Sequence, residues 1–297
     1  MGKMLAQLSE ELAQSVAATG AAVVRVEGRR RIAGSGIVWN GEGVIVTANH
    51  VARRDEDINV GLADGSSVKA RVAGRDPSTD LAVLRADASG LQSAQQAQDL
   101  AVGHLVLALG RPGQTVQATL GIVSALGDGP WRTPAGGQVD RYLQSDVVMY
   151  PGFSGGPLVD VSGRVLGLNT SALVRGVSLA VPAASVATVV DTLLAHGRIR
   201  RGYLGVSTQP VRLPRLVRER LGQESGLLIV AVEEGSPAGE GGMVMGDTIV
   251  SMDGSRVRDH DDLLALLTGD RVGSKVPVQI LRGGEERTVA VTIGERA

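Results

Sequence analysis

Between Ala21 and about Val181 the chain is cut into short apolar runs, too short for helices and too frequent for a loop-rich domain. AAVVRVEG, GSGIVWN, GVIVTAN, INVGLADG, VKARVAGRD, LAVLRAD, HLVLALG and VQATLGIVSALG follow one another at close spacing. Many are β-branched and alternate or run apolar, and Gly, Asp and Asn punctuate them, which is the signature of strands and turns. Such a series predicts a sandwich or barrel of antiparallel strands. Glycine fits this reading: 41 of 297 residues is about twice the ordinary share. Aromatic residues make up 2 %, so the core has to be built from Val, Leu, Ile and Ala. A length of 297 residues predicts about two domains, long enough to bury ample apolar surface.

The first 20 residues carry Leu5, Leu8, Leu12 and Val16 at helical spacing and predict an amphipathic helical segment. They show neither the apolar core of a secretory signal nor a membrane span, from which we expect a cytoplasmic setting. GDGPWRTPAGGQVDR, 127–141, reads as a Gly- and Pro-rich loop long enough to suspect function. PAASVATVVDTLLAHG, 182–197, reads as a helix with Pro at its start and Gly at its end. The basic link RIRR, 198–201, leads to a second unit of strands with one helix over DHDDLLALLTG. The expected division is 1–20 helical segment, 21–197 first domain, 198–202 linker and 203–297 second domain.

The chemistry is concentrated at MYPGFSGGPLVD, 149–160. A serine hydroxyl such as that of Ser154 is a weak nucleophile until a base takes its proton, and a histidine held by a carboxylate is the usual device. The four histidines are His50, His104, His196 and His260. His50 ends the strand-like VIVTANH and gains a rigid mount from it. His104 opens a strand, His196 lies in the last turn of a helix, and His260 belongs to the second unit. Asp80, leading directly into the apolar LAVLR, is preferred as the acid, whereas Asp76 precedes Pro77 in a turn and is expected to be solvated. Gly152, Gly155 and Gly156 around the serine permit unusual dihedrals and close approach, so the N–H groups of Gly152 and Ser154 could converge on an oxyanion. GFSGG also fits the nucleophile elbow of α/β-hydrolases. Two features oppose that: PLVDVSGRVLGLNTS reads as a hairpin turning at Ser162–Gly163 where an elbow needs a helix, and His50–Asp80–Ser154 is the chymotrypsin-like order.

These motifs, together with GSGIVWNGEGVIVTANHV, DPSTDLAVLR, LALGRPGQTVQATLGIVSALG and GSPAGEGGMVMGDTIVSMDG, make the chain resemble the HtrA (Deg) family of trypsin-like serine proteases with one C-terminal PDZ domain. The resemblance runs from about residue 21 to the end. It implies a mostly β molecule, a chymotrypsin-like double β-barrel protease domain followed by an α+β PDZ domain. It also implies His50 as base, Asp80 as its orienting acid, Ser154 as nucleophile, and Gly152 and Ser154 as oxyanion donors. Met149, Tyr150, Asn169, Thr170 and Ser171 should line the P1 pocket, with small or medium aliphatic preference because no Asp stands there. Tyr203, Leu204, Gly205 and Val206 should form the carboxylate-binding loop of the PDZ domain.

The implied activity is ATP-independent endoproteolysis of unfolded or damaged polypeptides, with C-terminal or internal peptides bound at the PDZ domain. Two departures from the family pattern stand out. Phe153 replaces the asparagine that usually precedes the serine, which motivates an alternative reading: a holdase with weak or no proteolysis and a non-productive oxyanion loop. The N-terminal segment lacks the aromatic residues on which family trimers pack, so the implied homo-oligomer is left without its usual contact. No cofactor or metal is called for: cysteine is absent and no helical His pair is present. With a net charge of −1, nucleic acid is not an expected partner, and the arginines at 29–31 and at 198, 200 and 201 read as solvated turns.

Overall fold

A computed structural model describes residues 2–295 apart from 30–31, 98–99, 128–130, 133–137, 140–141 and 175. Arg30, Arg31 and most of the loop 127–141 therefore lie outside the described residues. The chain divides into two compact units, Met1–Ile199 and Arg200–Ala297.

In the first unit the short apolar runs close into two six-stranded barrels. The first comprises Val23–Glu27, Gly34–Val38, Val44–Ala48, Ile58–Gly61, Ser67–Asp76 and Leu81–Ala86, all pairings antiparallel, with the first strand pairing the fourth to close the ring. Closure leaves no strand edge unpaired, which is what a chain of so many short strands requires. The second comprises Leu105–Gly110, Gln117–Leu126, Leu143–Ser145, Pro157–Asp160, Val165–Thr170 and Ser178–Pro182. Its hairpin Pro157–Asp160 to Val165–Thr170 turns at 161–164, where Asp160 Oδ1 accepts the N–H groups of Ser162 and Arg164, each at 2.9 Å. One apolar cluster runs through the first barrel, takes in Leu107, Leu109, Val165 and Leu168 of the second, and is covered by Val186, Val190 and Leu193 of the helix Ala183–His196. Gly197 ends that helix in the left-handed region at φ 71°.

The N-terminal helix spans Gly2–Gly20. Only its second half packs: Leu12 and Val16 reach the core, and Thr19 Oγ1 donates to the Gly163 carbonyl at 2.7 Å, while Leu5 stays exposed. The second unit is a sheet of Val206–Arg212, Ser225–Val232, Thr248–Met252, Lys275–Arg282 and Glu285–Thr292, joined by the helices Arg215–Leu221 and His260–Leu266. Val206–Arg212 is an edge strand, paired only with Ser225–Val232 among the described residues.

Candidate active site

The first barrel brings the base and the acid together by register. Val44–Ala48 and Leu81–Ala86 pair antiparallel with Ala48 opposite Leu81, so residues just past the end of one strand meet those just before the start of the other. Asn49 N–H donates to the Asp80 carbonyl at 2.9 Å, and His50 N–H donates to Asp80 Oδ1 at 2.9 Å. His50 Nδ1 lies 2.7 Å from Asp80 Oδ2. Asp80 stands at φ 57°, a left-handed position that Asp tolerates better than most side chains. Its side chain is 4 % exposed against 21 % for His50. An ionised carboxylate can only accept, so in the neutral imidazole Nδ1 carries the proton and Nε2 the lone pair.

The second barrel supplies the nucleophile loop and a further donor. Thr170 Oγ1 donates to Asp80 Oδ2 at 2.6 Å from the end of Val165–Thr170. Gly155 N–H donates to the Asn169 carbonyl at 2.8 Å, and Asn169 N–H to the Gly156 carbonyl at 2.9 Å, which anchors the loop to the same strand end. Gly152 and Gly155 sit at φ 95° and 88°, and a Cβ on Gly155 would fall 2.1 Å from the Ser35 carbonyl oxygen, so glycine is required there. The Gly152 and Ser154 N–H groups enter no hydrogen bond among the described residues. Ser154 is 6 % exposed, and its Oγ lies 3.0 Å from Ser171 Oγ; among the described residues it makes no hydrogen bond to His50.

Of the residues expected to line a P1 pocket, two are placed otherwise. Asn169 and Thr170 are each 1 % exposed. Asn169 Nδ2 donates to the Pro157 carbonyl at 2.8 Å and Thr170 to Asp80, so both brace the site from behind instead of facing a substrate. Ser171 is at the surface beside the nucleophile; Met149 packs partly into the second-barrel core, and Tyr150 is exposed. Asp76 is likewise not solvated: it is 3 % exposed and accepts from Ser78 N–H at 3.1 Å and Thr79 Oγ1 at 2.7 Å, capping the turn that delivers Asp80.

In the second unit Tyr203, Leu204, Gly205 and Val206 line a cavity of about 410 Å³ with His260 and Leu264. The Gly205 carbonyl accepts Glu233 N–H at 2.9 Å, and the Tyr203 hydroxyl donates to the Glu233 carboxylate. His260, assigned above to the second unit, has a place in that unit. It forms a wall of this groove, with Nε2 3.0 Å from the Thr208 carbonyl oxygen, and its place at the first turn of Leu263 and Leu264's helix is the available signal.

Two closed six-stranded barrels, with a buried carboxylate orienting an imidazole on one and a glycine-flanked serine on the other, define the class of trypsin-like serine peptidases. A model of the trypsin-like peptidase domain matches residues 34–168, and one of the PDZ domain matches 202–293. The serine endoprotease from Yersinia pestis, in its crystal structure, is 30% identical with a TM-score of 0.81, covering 96% of this chain and 98% of that one. The HtrA-type protease AlgW with decapeptide is 28% identical with a TM-score of 0.79, covering 96% and 99%. The chain belongs to the HtrA/Deg family of serine proteases.

Curated relatives from Pseudomonas fulva (strain 12-X), over 278 residues, and Halomonas elongata, over 274, are each 36% identical across 90% of this chain. Both are named probable periplasmic serine endoprotease DegP-like. The chain spans 57% of the length of each. Their periplasmic names overturn the cytoplasmic setting expected above, because an apolar run missing from one stretch of sequence carries no information about compartment.

Proposed function

We propose that the chain is a serine endopeptidase of protein quality control in which Ser154 attacks the scissile carbonyl, His50 is the general base and Asp80 orients it. The observation that carries this reading is the 2.7 Å contact of His50 Nδ1 with a buried Asp80 carboxylate. A histidine so held presents Nε2 to take the Ser154 proton and return it to the leaving amine. The Ser154 hydroxyl turns from Ser171 toward the imidazole as substrate enters; hydrogen bonds of this kind commonly tighten only in the substrate complex. Attack gives a tetrahedral oxyanion within reach of the Gly152 and Ser154 N–H groups, collapse expels the amine, and water hydrolyses the acyl-enzyme.

The substrates are unfolded or damaged polypeptides, and Met149, Tyr150 and Ser171 remain the residues for P1 contact. The peptidase domain is 21–197, preceded by the helical segment 1–20 and joined through 198–202 to a PDZ domain, 203–297. An extended peptide adds there as a strand beside Val206–Arg212, whose outer edge pairs with no strand among the described residues, with its terminus toward Tyr203–Val206. The holdase reading loses its motive, since Phe153 is packed in the core and the relatives are named endoproteases. Casein cleavage tests the proposal: wild type should degrade it and Ser154→Ala should not, and undiminished cleavage by a clean Ser154→Ala preparation would refute it.

A further inference from the structure

Phe153 is the sole phenylalanine of the chain and stands between the two proposed oxyanion donors. Its side chain is 0 % exposed and packs in the second-barrel core with Val106, Ala108, Leu143 and Leu158. Gly110 leaves the space for it, since a Cβ there would come within 2.8 Å of Phe153 Cδ1. The Tyr150 ring meets it edge-on at 5.8 Å.

The loop's carbonyls are held from the other side by Ser35 of the first barrel, itself 0 % exposed. Ser35 Oγ donates to the Gly152 carbonyl at 2.7 Å, and Ser35 N–H donates to the Ser154 carbonyl at 3.0 Å. Arg111 N–H donates to Ser35 Oγ at 2.8 Å and Thr47 Oγ1 to the Ser35 carbonyl at 2.6 Å, so the staple is itself oriented. Phe153 N–H donates to the Tyr150 carbonyl at 3.0 Å, and Gly156 N–H to the Phe153 carbonyl at 2.9 Å. Each peptide group from Gly152 to Gly155 is therefore tied at one end or both. Among the described residues, what stays unpaired is the pair of N–H groups the chemistry needs.

We propose that Phe153 and Ser35 are positioning residues that hold the oxyanion loop in its receptive shape with no ligand bound, the anchor being apolar packing in place of a polar side-chain bond. This rests on the peptidase reading above. The anchor cannot rotate out without opening a cavity in the barrel core, and the staple cannot open without stranding a buried hydroxyl and amide.

The test compares wild type, Phe153→Ala, Phe153→Met, Ser35→Ala and Leu193→Ala on a p-nitroanilide peptide with an aliphatic P1 residue, and measures inhibition by the matching peptide aldehyde. Phe153→Ala and Ser35→Ala should lower kcat about tenfold to a hundredfold at nearly constant KM, and weaken the aldehyde by a similar factor, since its adduct carries the oxyanion. Phe153→Met, which refills the space, should recover most of the loss. Leu193→Ala opens the apolar cluster that Phe153 does not join and should lower the melting temperature while sparing kcat. Unchanged kcat and aldehyde affinity in Ser35→Ala and Phe153→Ala would overturn the inference; should Phe153→Ala not fold, Ser35→Ala decides it. Wild type that labels at Ser154 with a fluorophosphonate yet hydrolyses nothing would overturn it too. Wild type that neither labels nor hydrolyses brings down the peptidase reading itself.

Discussion

Asp80 is the residue on which the proposed chemistry turns, because it accepts from His50 N–H, His50 Nδ1–H and Thr170 Oγ1 while almost fully buried. Asp80→Asn would present an amide donor to Nδ1 and favour the wrong tautomer; kcat should fall about 10⁴-fold in steady-state hydrolysis, with the fold retained. Thr170→Val removes one donor to the carboxylate and should lower kcat/KM about tenfold, the equivalent of about 1.4 kcal/mol, just below the range of about 1.5–3 kcal/mol for a bond to a charged group. Ser171→Ala frees the Ser154 hydroxyl from its resting partner. Fluorophosphonate labelling should then quicken by a few-fold, in line with about 0.5–1.5 kcal/mol for a neutral hydrogen bond; a slower rate would mean that Ser171 assists the nucleophile.

At the scale of elements, the helix Ala183–His196 supports the barrels that carry the site. Leu193→Ala should cost about 2–5 kcal/mol in denaturant unfolding, since the side chain is 1 % exposed in the core. Below the transition its kcat should equal that of wild type. The strand runs, that helix with its Pro and Gly limits, and the hairpin after the serine were legible because each is a local pattern of period, breaker and turn. The contact of His50 with Asp80 was legible for the same reason: each borders such a strand pattern. Thr170 was not, because its bond to Asp80 spans 90 residues and depends on how two barrels meet. Asp76 was misread because an Asp before Pro looks solvated, and only the closed turn with Ser78 and Thr79 shows it buried. The helix Arg215–Leu221 is not legible because about two turns of it, flanked by Pro214 and Gly222, show too little period to register.

Over the whole molecule, a partly buried ion pair ties the stability of the second unit to pH. In the second unit burial pushes the Asp247 carboxyl up, but the Arg282 guanidinium and Val244 N–H outweigh it and hold it below the usual carboxylate range. Arg282 Nε and the carboxylate are 2.7 Å apart, and the carboxylate is fully buried. A depressed folded value stabilises above the unfolded value, about 3.9, and that stability is lost as pH falls through the folded one. Asp247→Asn should therefore cost about 1.5–3 kcal/mol at pH 7 and progressively less at lower pH. Hydrogen exchange in Thr248–Met252 and Lys275–Arg282 would read this loss. The proposed activity, by contrast, depends on one proton moving between Ser154 and His50. The most direct measurement is mass-spectrometric mapping of a fluorophosphonate adduct on wild type and His50→Ala: the account predicts one adduct on Ser154, abolished in the variant, whereas an adduct elsewhere, or one on Ser154 forming as fast without the imidazole, would contradict it.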